Sequence, residues 1–273
     1  MKRKHTFALL LSALMWLVQT VPALAEGKEY TIKYGDKELY GVISKPQDAG
    51  KRQGIVILAH GFGGTHDFAY AYFDALNRLG YQAYAFDFAS GSPFSRSDKN
   101  TMNMSVLDQQ RQLETVIEHF RRQPDIDPKR IVLLGESQGG LVSALTAASN
   151  QKKISRLVLV FPAFCIPYHW RARYPTFDQV PDTTRLWRVP MGRQYFKEIL
   201  DMDAFQLAKA YKKPVLIVHG DADQVVPYAD SEKMQKLYKK ATLHCIPGAG
   251  HGFNPEQQAP NLGYIIPFLQ ENK

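Results

Sequence analysis

The chain has 273 residues, of which 45% are hydrophobic and 22% are charged, so it is long enough to form one large α/β domain. This ordinary composition excludes a largely disordered chain. The formal net charge of +8 is dispersed without a long basic tract, so we expect no nucleic-acid partner.

The first residues have the pattern of a secretory signal peptide. A positive region at 2–4 precedes an apolar run at 7–18 and the small residues Ala23-Leu24-Ala25, which suit cleavage. The apolar run is short for a membrane span, and a retained membrane anchor is the alternative. We predict a signal peptide at 1–25 and a mature chain at 26–273, secreted or periplasmic and free of the membrane after cleavage. Losing the three cations at 2–4 takes the formal charge from +8 to +5.

Strand patterns and helix patterns alternate along the rest of the chain. The predicted strands are 30–34, 38–44, 54–59, 81–86, 130–134, 157–161, 214–219 and 242–246. The predicted helices are 66–79, 105–122, 141–148, 205–211, 228–240 and 262–270. This alternation predicts a mostly parallel sheet with helices on both faces.

A long stretch rich in proline and aromatic residues interrupts this alternation. Its aromatic residues are Phe164, Tyr168, Trp170, Tyr174, Phe177, Trp187, Tyr195 and Phe196. Connections of this length are usually lids or binding loops. We predict an inserted lid at about 163–205, called the lid segment below. We expect Trp170, Trp187 and Tyr195 to contact the substrate.

Cysteine and histidine usage gives no sign of a disulfide framework or a metal site. The two cysteines, Cys165 and Cys245, are far apart in the sequence and lie in or beside predicted strands. We expect both to be buried free thiols. The sequence contains no cluster with metal-ligand spacing, so we predict no metal site.

One stretch near the middle of the chain has the pattern of a nucleophile elbow. The apolar run at 131–134 leads into Gly135-Glu136-Ser137-Gln138-Gly139 and then into a helical pattern. The turn must be so tight that a β-carbon at either flanking glycine would collide with a neighbouring strand or helix. Ser137 is therefore the candidate nucleophile.

A serine hydroxyl needs a base within hydrogen-bond reach, and that base needs an orienting carboxylate. The carboxyl ends of parallel strands open on one edge of a sheet, so both partners should also follow strands. His251 lies in a glycine-rich loop after the last predicted strand, and Asp223 follows the strand before it. The order Ser137, Asp223, His251 is the one expected on an α/β sheet.

Two other carboxylates compete for the role of the acid. Asp221 directly follows Gly220 and suits a turn-stabilising role, and Asp230 is expected inside a helix, so Asp223 is preferred. Five further histidines have no setting in the sequence comparable to that of His251. They are His66, His119, His169, His219 and His244.

A glycine-rich loop after the strand at 54–59 suits an oxyanion hole. It reads His60-Gly61-Phe62-Gly63-Gly64 and lacks the Gly-Lys-Ser/Thr ending of a nucleotide-binding loop. Acyl transfer builds negative charge on the carbonyl oxygen, which backbone N–H groups stabilise. We predict that the amides of Phe62 and Gln138 supply them.

Together, the segments around His60, Ser137, Asp223 and His251 resemble the α/β-hydrolase superfamily, over about residue 30 to the end of the chain. Within it, His-Gly-Phe, Phe86-Asp87-Phe88, the glutamine after the nucleophile and the aromatic insertion are similar to the feruloyl (cinnamoyl) esterases. The finer resemblance implies that the insertion covers the site and helps to hold a phenolic acyl group.

These observations predict a secreted serine carboxylic ester hydrolase that forms an acyl-enzyme and needs no cofactor. The resemblance implies small-molecule or oligosaccharide esters as substrates, with release of hydroxycinnamic acids such as ferulate from plant-wall esters. A peptidase or a lipid or thioester hydrolase of the same fold is an alternative. A catalytically silent binding protein is an alternative from a different class.

Overall fold

The computed structural model describes residues 27–47 and 52–271, so the predicted signal peptide at 1–25 lies outside the described residues. Within them, the strands are β1 (Lys28–Glu29), β2 (Ile32–Tyr34), β3 (Lys37–Leu39), β4 (Gly41–Ser44), β5 (Gln53–Ala59), β6 (Tyr81–Phe86), β7 (Ile126–Glu136), β8 (Arg156–Val160), β9 (Thr183–Leu186), β10 (Val189–Gly192), β11 (Val215–Gly220) and β12 (Ala241–Ile246). The helices are α1 (Tyr70–Arg78), α2 (Val106–Arg121), α3 (Ser137–Ser149), α4 (Ile166–Arg173), α5 (Arg193–Ile199), α6 (Ala204–Ala208), α7 (Tyr228–Leu237) and α8 (Pro255–Gln270). In this part of the chain, no helix combines the length and the apolar character that crossing a bilayer requires.

The main sheet has eight strands in the order β1-β4-β6-β5-β7-β8-β11-β12. All its pairings from β6 to β12 are parallel, and only β1 with β4 and β4 with β6 are antiparallel. This confirms the predicted mostly parallel sheet of an α/β-hydrolase fold.

Both faces of the sheet are buried, because alternate residues of the central strands point into different cores. Ile55 and Ile57 of β5 belong to a cluster that also contains side chains of α2 and α3. Val56 and Leu58 belong to a second cluster that contains side chains of α1 and α8. The continuous apolar runs in the sequence therefore correspond to strands covered on both sides by helices.

The carboxyl ends of the central strands lie side by side. Ala59 pairs with Gly135, and Val160 pairs with both Glu136 and Val218. The loops that follow β5, β7, β8 and β11 consequently open at the same edge of the sheet. This register brings the candidate site residues to one place.

The lid segment has regular secondary structure. It contains α4, the antiparallel hairpin of β9 and β10, and α5. Trp170, Tyr195 and Phe196 are buried in the same cluster as α2 and α3. Most of the aromatic content of this segment therefore packs against the protein itself.

Several predicted element boundaries differ from those of the structure, and two of the differences have clear physical reasons. The strand predicted at 38–44 is divided at Tyr40, whose amide donates to Ser97 Oγ at 2.8 Å, so that β3 and β4 join different sheets. The last helix begins at Pro255 rather than at 262, because Asn254 and Gln257 form a capping box and proline is favourable in the first helical turn.

Candidate active site

Ser137 is the first residue of α3, directly after the end of β7, and its φ of 53° lies in the left-handed region. This conformation is strained for a residue with a side chain. A Cβ on Gly135 would lie 2.3 Å from the carbonyl oxygen of Gly139, and one on Gly139 would lie 2.2 Å from that of Ala59. Backbone contacts therefore require glycine on both sides of the serine.

The loop after β12 brings His251 to Ser137. His251 Nε2 lies 3.0 Å from Ser137 Oγ, and His251 Nδ1 lies 2.8 Å from Asp223 Oδ2. We assign the proton to Nδ1, which donates to the carboxylate, so that Nε2 accepts from the hydroxyl. The ring of Phe161 packs against the imidazole with 4.9 Å between centroids and supports its orientation. The three side chains singled out in the sequence thus form one hydrogen-bonded chain.

Asp223 is held in its ionised form. Its burial would raise the pKa, but hydrogen bonds from His219, His251 and the amides of Val226 and Val225 outweigh this and lower the pKa of Asp223 well below its usual range. The two amides donate to Oδ1 at 2.9 and 2.8 Å, which leaves Oδ2 for the histidines. A buried carboxylate with these partners can orient His251 and stabilise its positive charge.

His219 contacts this carboxylate too, so the expectation that it has no comparable setting is wrong. This fully buried histidine at the end of β11 has its Nε2 3.1 Å from Asp223 Oδ2, and its Nδ1 is 2.7 Å from Ser231 Oγ. Its position four residues before Asp223 was visible in the sequence. The loop closure that brings the two side chains together was not.

The two competing carboxylates have other partners. Asp221 Oδ1 accepts from the amide of Gly248 at 2.6 Å, and Asp230 in α7 accepts from the Tyr168 hydroxyl at 2.9 Å. In the described part of the chain, neither is hydrogen-bonded to His251. Their contacts fit the turn and helix positions expected from the sequence.

His60 fixes the loop that carries Phe62. Its Nε2 accepts from the amide of Phe88 at 3.0 Å, and its Nδ1 donates to the carbonyl of Gly61 at 2.7 Å. Burial lowers the pKa of His60, which favours the neutral ring that these bonds require. Among the described residues, neither the amide of Phe62 nor that of Gln138 donates to a protein acceptor. Both amides are therefore available to a ligand.

The side chain of Gln138 is buried and has protein partners. The Tyr195 hydroxyl donates to Gln138 Oε1 at 2.8 Å, and Gln138 Nε2 donates to Gln109 Oε1 at 2.9 Å. These bonds tie the start of α3 to the lid segment and to α2. The hydroxyl group of Tyr195 is thus hydrogen-bonded within the protein.

Glu136, the residue before the candidate nucleophile, ends a second hydrogen-bonded chain. The Tyr72 hydroxyl in α1 donates to Glu136 Oε1 at 2.5 Å, and Asn261 Nδ2 in α8 donates to the Tyr72 oxygen at 3.1 Å. Burial raises the pKa of Glu136 to about 7, although the bond from Tyr72 and the nearby His251 oppose this change. The carboxyl group therefore changes charge near neutral pH.

A cavity of about 260 Å³ adjoins Ser137. Its lining residues are mostly apolar or aromatic, and they are Phe62, Ser137, Gln138, Ala163, Cys165, Ile166, His169, Trp170, Arg173, Leu186, Trp187, Tyr195, Val225 and Val226. All three candidate substrate contacts line it, but Trp170 and Tyr195 are buried, whereas Trp187 is 62% exposed. Three larger surface grooves, of about 960, 760 and 550 Å³, are lined by none of these residues.

The cysteines are not needed for the chemistry that the side chains at this site suit, which is acyl transfer. Cys165 and Cys245 are both free thiols, but Cys245 is only half-buried, contrary to expectation. Burial raises the pKa of Cys165 to about 12, so its thiol is a poor nucleophile. No group of three or more His, Cys, Asp or Glu side chains in the described ranges could hold a metal ion. A hydroxyl, an imidazole and a carboxylate in this arrangement can attack an acyl carbon.

The family model described as "Serine aminopeptidase, S33" matches residues 50–194 and 167–258 of the chain. Among curated proteins, the "Uncharacterized protein YfhR" of Escherichia coli O157:H7 is 25% identical over 234 residues, which cover 84% of this chain and 74% of that protein. The "Uncharacterized peptidase YuxL" of Bacillus subtilis (strain 168) is 26% identical over 176 residues. That match covers 59% of this chain and only 25% of YuxL.

Among solved structures, Est1E from Butyrivibrio proteoclasticus with ferulic acid bound is similar to this chain, with a TM-score of 0.78 and 25% identity. The similarity covers 89% of this chain and 96% of Est1E. The resemblance inferred from the sequence is confirmed by this structural similarity and by the family match.

Proposed function

This chain belongs to the serine aminopeptidase S33 family of α/β-hydrolases, and from that premise we propose that it is an exported serine carboxylic ester hydrolase. The observation that carries the proposal is the hydrogen-bonded chain from Ser137 through His251 to Asp223. Export rests on the signal-peptide pattern at 1–25.

In the proposed reaction, Ser137 Oγ attacks the ester carbonyl carbon while its proton passes to His251 Nε2. Asp223 stabilises the resulting imidazolium, and the amides of Phe62 and Gln138 donate to the oxyanion. The imidazolium then gives its proton to the leaving alcohol, which leaves an acyl group on Ser137. Water, deprotonated by His251, releases the acid and restores the serine.

The proposed substrates are esters of hydroxycinnamic acids such as ferulate. The cavity beside Ser137 has walls of Trp170, Trp187 and the ring of Tyr195, which suit a flat aromatic acyl group. The similar protein Est1E has been solved with ferulic acid bound. Both observations support an aromatic acid over a short aliphatic one.

Labelling with a fluorophosphonate tests the nucleophile directly. We expect the wild-type protein to be labelled and Ser137→Ala not to be, because the reagent bonds to an activated serine hydroxyl. Ser143→Ala is the matched control, since Ser143 is fully buried in α3 and lies outside the hydrogen-bonded chain. Equal labelling of Ser137→Ala and the wild type would remove the proposed nucleophile.

Turnover of methyl ferulate and of methyl butyrate tests the acyl group. We expect a higher kcat/KM for the ferulate ester, because its ring can fill the aromatic cavity. A kcat/KM for the butyrate ester that equals or exceeds that for ferulate contradicts the aromatic preference but leaves the serine mechanism intact.

The family description favours an aminopeptidase as the second candidate. An aminopeptidase must bind the positively charged amino terminus of a peptide, which calls for a carboxylate in the site. None of the described residues that line the cavity is acidic, and Arg173 carries a positive charge. Aminoacyl para-nitroanilides compared with the corresponding acetylated anilides distinguish this activity, since only an aminopeptidase prefers the free amine.

A further inference from the structure

The cavity beside Ser137 has an uneven distribution of charge. Among its described lining residues, Arg173 is the only one that is charged at every physiological pH, and none is acidic. The Cys165 thiol stays neutral because burial raises its pKa to about 12. The lining of this cavity therefore contributes one permanently positive side chain and no carboxylate.

Two aromatic rings position Arg173. One belongs to Trp170 in the same helix, α4, and the other to Tyr174, which directly follows that helix. The Cζ of Arg173 lies 5.6 Å from the ring centroid of Trp170 and 5.3 Å from that of Tyr174. These two rings are nearly parallel, with 4° between their planes. Contact with ring faces restrains a guanidinium but does not use its N–H groups, which remain able to bind a planar anion.

Two other arginines of the lid segment have partners that Arg173 lacks. Arg171, two residues earlier in α4, donates to the carbonyls of Leu200 and Met202. Arg193 donates to the carbonyl of Phe177 and lies 3.9 Å from Asp182. In the part of the chain that the structure describes, Arg173 has neither a carboxylate within ion-pair distance nor a carbonyl acceptor.

The hairpin of β9 and β10 adds positive charge at the same cavity. Leu186 and Trp187 line the cavity, and the exposed residues Arg185 and Arg188 flank them in the hairpin. Among the described residues, these two arginines have no ion-pair partner either. Neighbouring charges of one sign attract an oppositely charged ligand and raise its local concentration.

We propose that the substrate is an ester that also bears a carboxylate, and that Arg173 binds this carboxylate at the mouth of the cavity. This inference rests on the proposed ester hydrolase function and narrows its substrates to acidic esters, such as those of an oligosaccharide that carries carboxylates. A neutral substrate would cover the guanidinium and displace its water without replacing the lost hydrogen bonds. A carboxylate replaces them with two parallel, charge-assisted bonds.

Paired substrates of equal size and different charge test this directly. For charge on the acid part, the pair is the para-nitrophenyl monoester of glutaric acid and that of glutaramic acid, in which an amide replaces the free carboxylate. For charge on the alcohol part, the pair is feruloyl glycolate and feruloyl glycolamide. At low ionic strength, we expect kcat/KM for the charged member of at least one pair to be about tenfold higher.

Variants assign this preference to one residue. Arg173→Gln should bring the ratio of charged to neutral kcat/KM to about one, and Arg173→Lys should keep part of it, since lysine retains the charge but not the planar fork. Arg130→Gln is the matched control and should keep the full ratio. Arg130 also contacts an aromatic ring, with Cζ 4.7 Å from the Tyr81 centroid, but lies in the first half of β7, away from Ser137.

Ionic strength gives a second measurement. Salt at roughly 1 M shortens the Debye length to about 3 Å, so the charge preference of the wild type should shrink there. A ratio near one for both pairs in the wild type, or an unchanged ratio in Arg173→Gln, overturns the inference. Failure of the proposed function is distinct, because then none of the esters is cleaved and Ser137 is not labelled.

Discussion

The turn around Ser137 and the lid segment each form part of the wall of the same cavity, but their residues are constrained in different ways. At the turn, backbone atoms within 2.3 Å of the position of a Cβ allow only glycine at 135 and 139. In the lid segment, Trp170 is fixed by packing against Tyr174 and Phe196, with ring centroids 6.0 and 4.9 Å away. Local backbone geometry thus defines one part of the wall, and side-chain packing defines the other. Variants that affect one part and spare the other test this difference.

The largest expected effect on stability is in the lid segment. Trp170→Ala should lower the free energy of unfolding by about 4 kcal/mol, because it removes a buried ring from the core. Trp187→Ala should change it by less than about 0.5 kcal/mol, because this side chain is 62% exposed, while raising KM for aromatic esters. Urea unfolding and steady-state kinetics measure both. Equal destabilisation by the two variants would mean that the lid segment is not divided into packed and substrate-facing parts.

The next effect tests the backbone constraint at the turn. Gly139→Ala should lower the free energy of unfolding by about 3 kcal/mol, since its Cβ would lie 2.2 Å from the carbonyl oxygen of Ala59. Gly263→Ala is the control, because a Cβ on the exposed Gly263 in α8 would meet no atom within 4 Å outside its own helix backbone and chain neighbours. The free energy of unfolding of this control should rise by up to about 1 kcal/mol, because alanine has a higher helix propensity than glycine. Thermal or chemical unfolding compares them, and a mild effect of Gly139→Ala would contradict the steric explanation.

The charge state of Glu136 predicts a pH-dependent effect on stability. Burial raises its pKa from 4.5 to about 7, so the folded protein holds a proton that the unfolded chain releases between these pH values. The contribution of Glu136 therefore falls as pH rises through this window, by on the order of 2 kcal/mol. Glu136→Gln, which is always neutral, should be more stable relative to wild type at pH 8 than at pH 4 in urea unfolding.

Glu118 provides the control of opposite sign. Lys153 lowers the pKa of Glu118 through a hydrogen bond, so the contribution of this carboxylate is lost as pH falls rather than as it rises. Glu118→Gln should accordingly lose stability relative to wild type at neutral pH and not at low pH. The same pH trend in both variants would contradict the assignment to Glu136.

The smallest expected effect concerns His219, which contacts Asp223 rather than substrate. His219→Ala should lower kcat about tenfold with little change in KM, because Asp223 would orient His251 less well. His219→Gln should restore part of the loss, since its amide can still donate to the carboxylate. A change confined to KM would place His219 in substrate binding instead.

The parts of the molecule that the sequence predicted are those set by local patterns. The parallel sheet follows from apolar runs such as that of β5, and the turn at Ser137 follows from its glycines. The contacts of Tyr72 with Glu136 and with Asn261 join residues 64 and 189 positions apart, and no local pattern indicates them. The lid aromatics were identifiable by type. Which of them are buried depends on how α4 and α5 pack, and this is a tertiary property.

The position of His251 in the chain has a consequence for biosynthesis. Ser137 and the glycine-rich loop at His60 are made long before the loop after β12, and α8, with Asn261, follows that loop. A growing chain that has not yet reached residue 251 carries the proposed nucleophile without its base. In the proposed mechanism, the order of synthesis therefore leaves the serine without an activating base until the loop after β12 has been made.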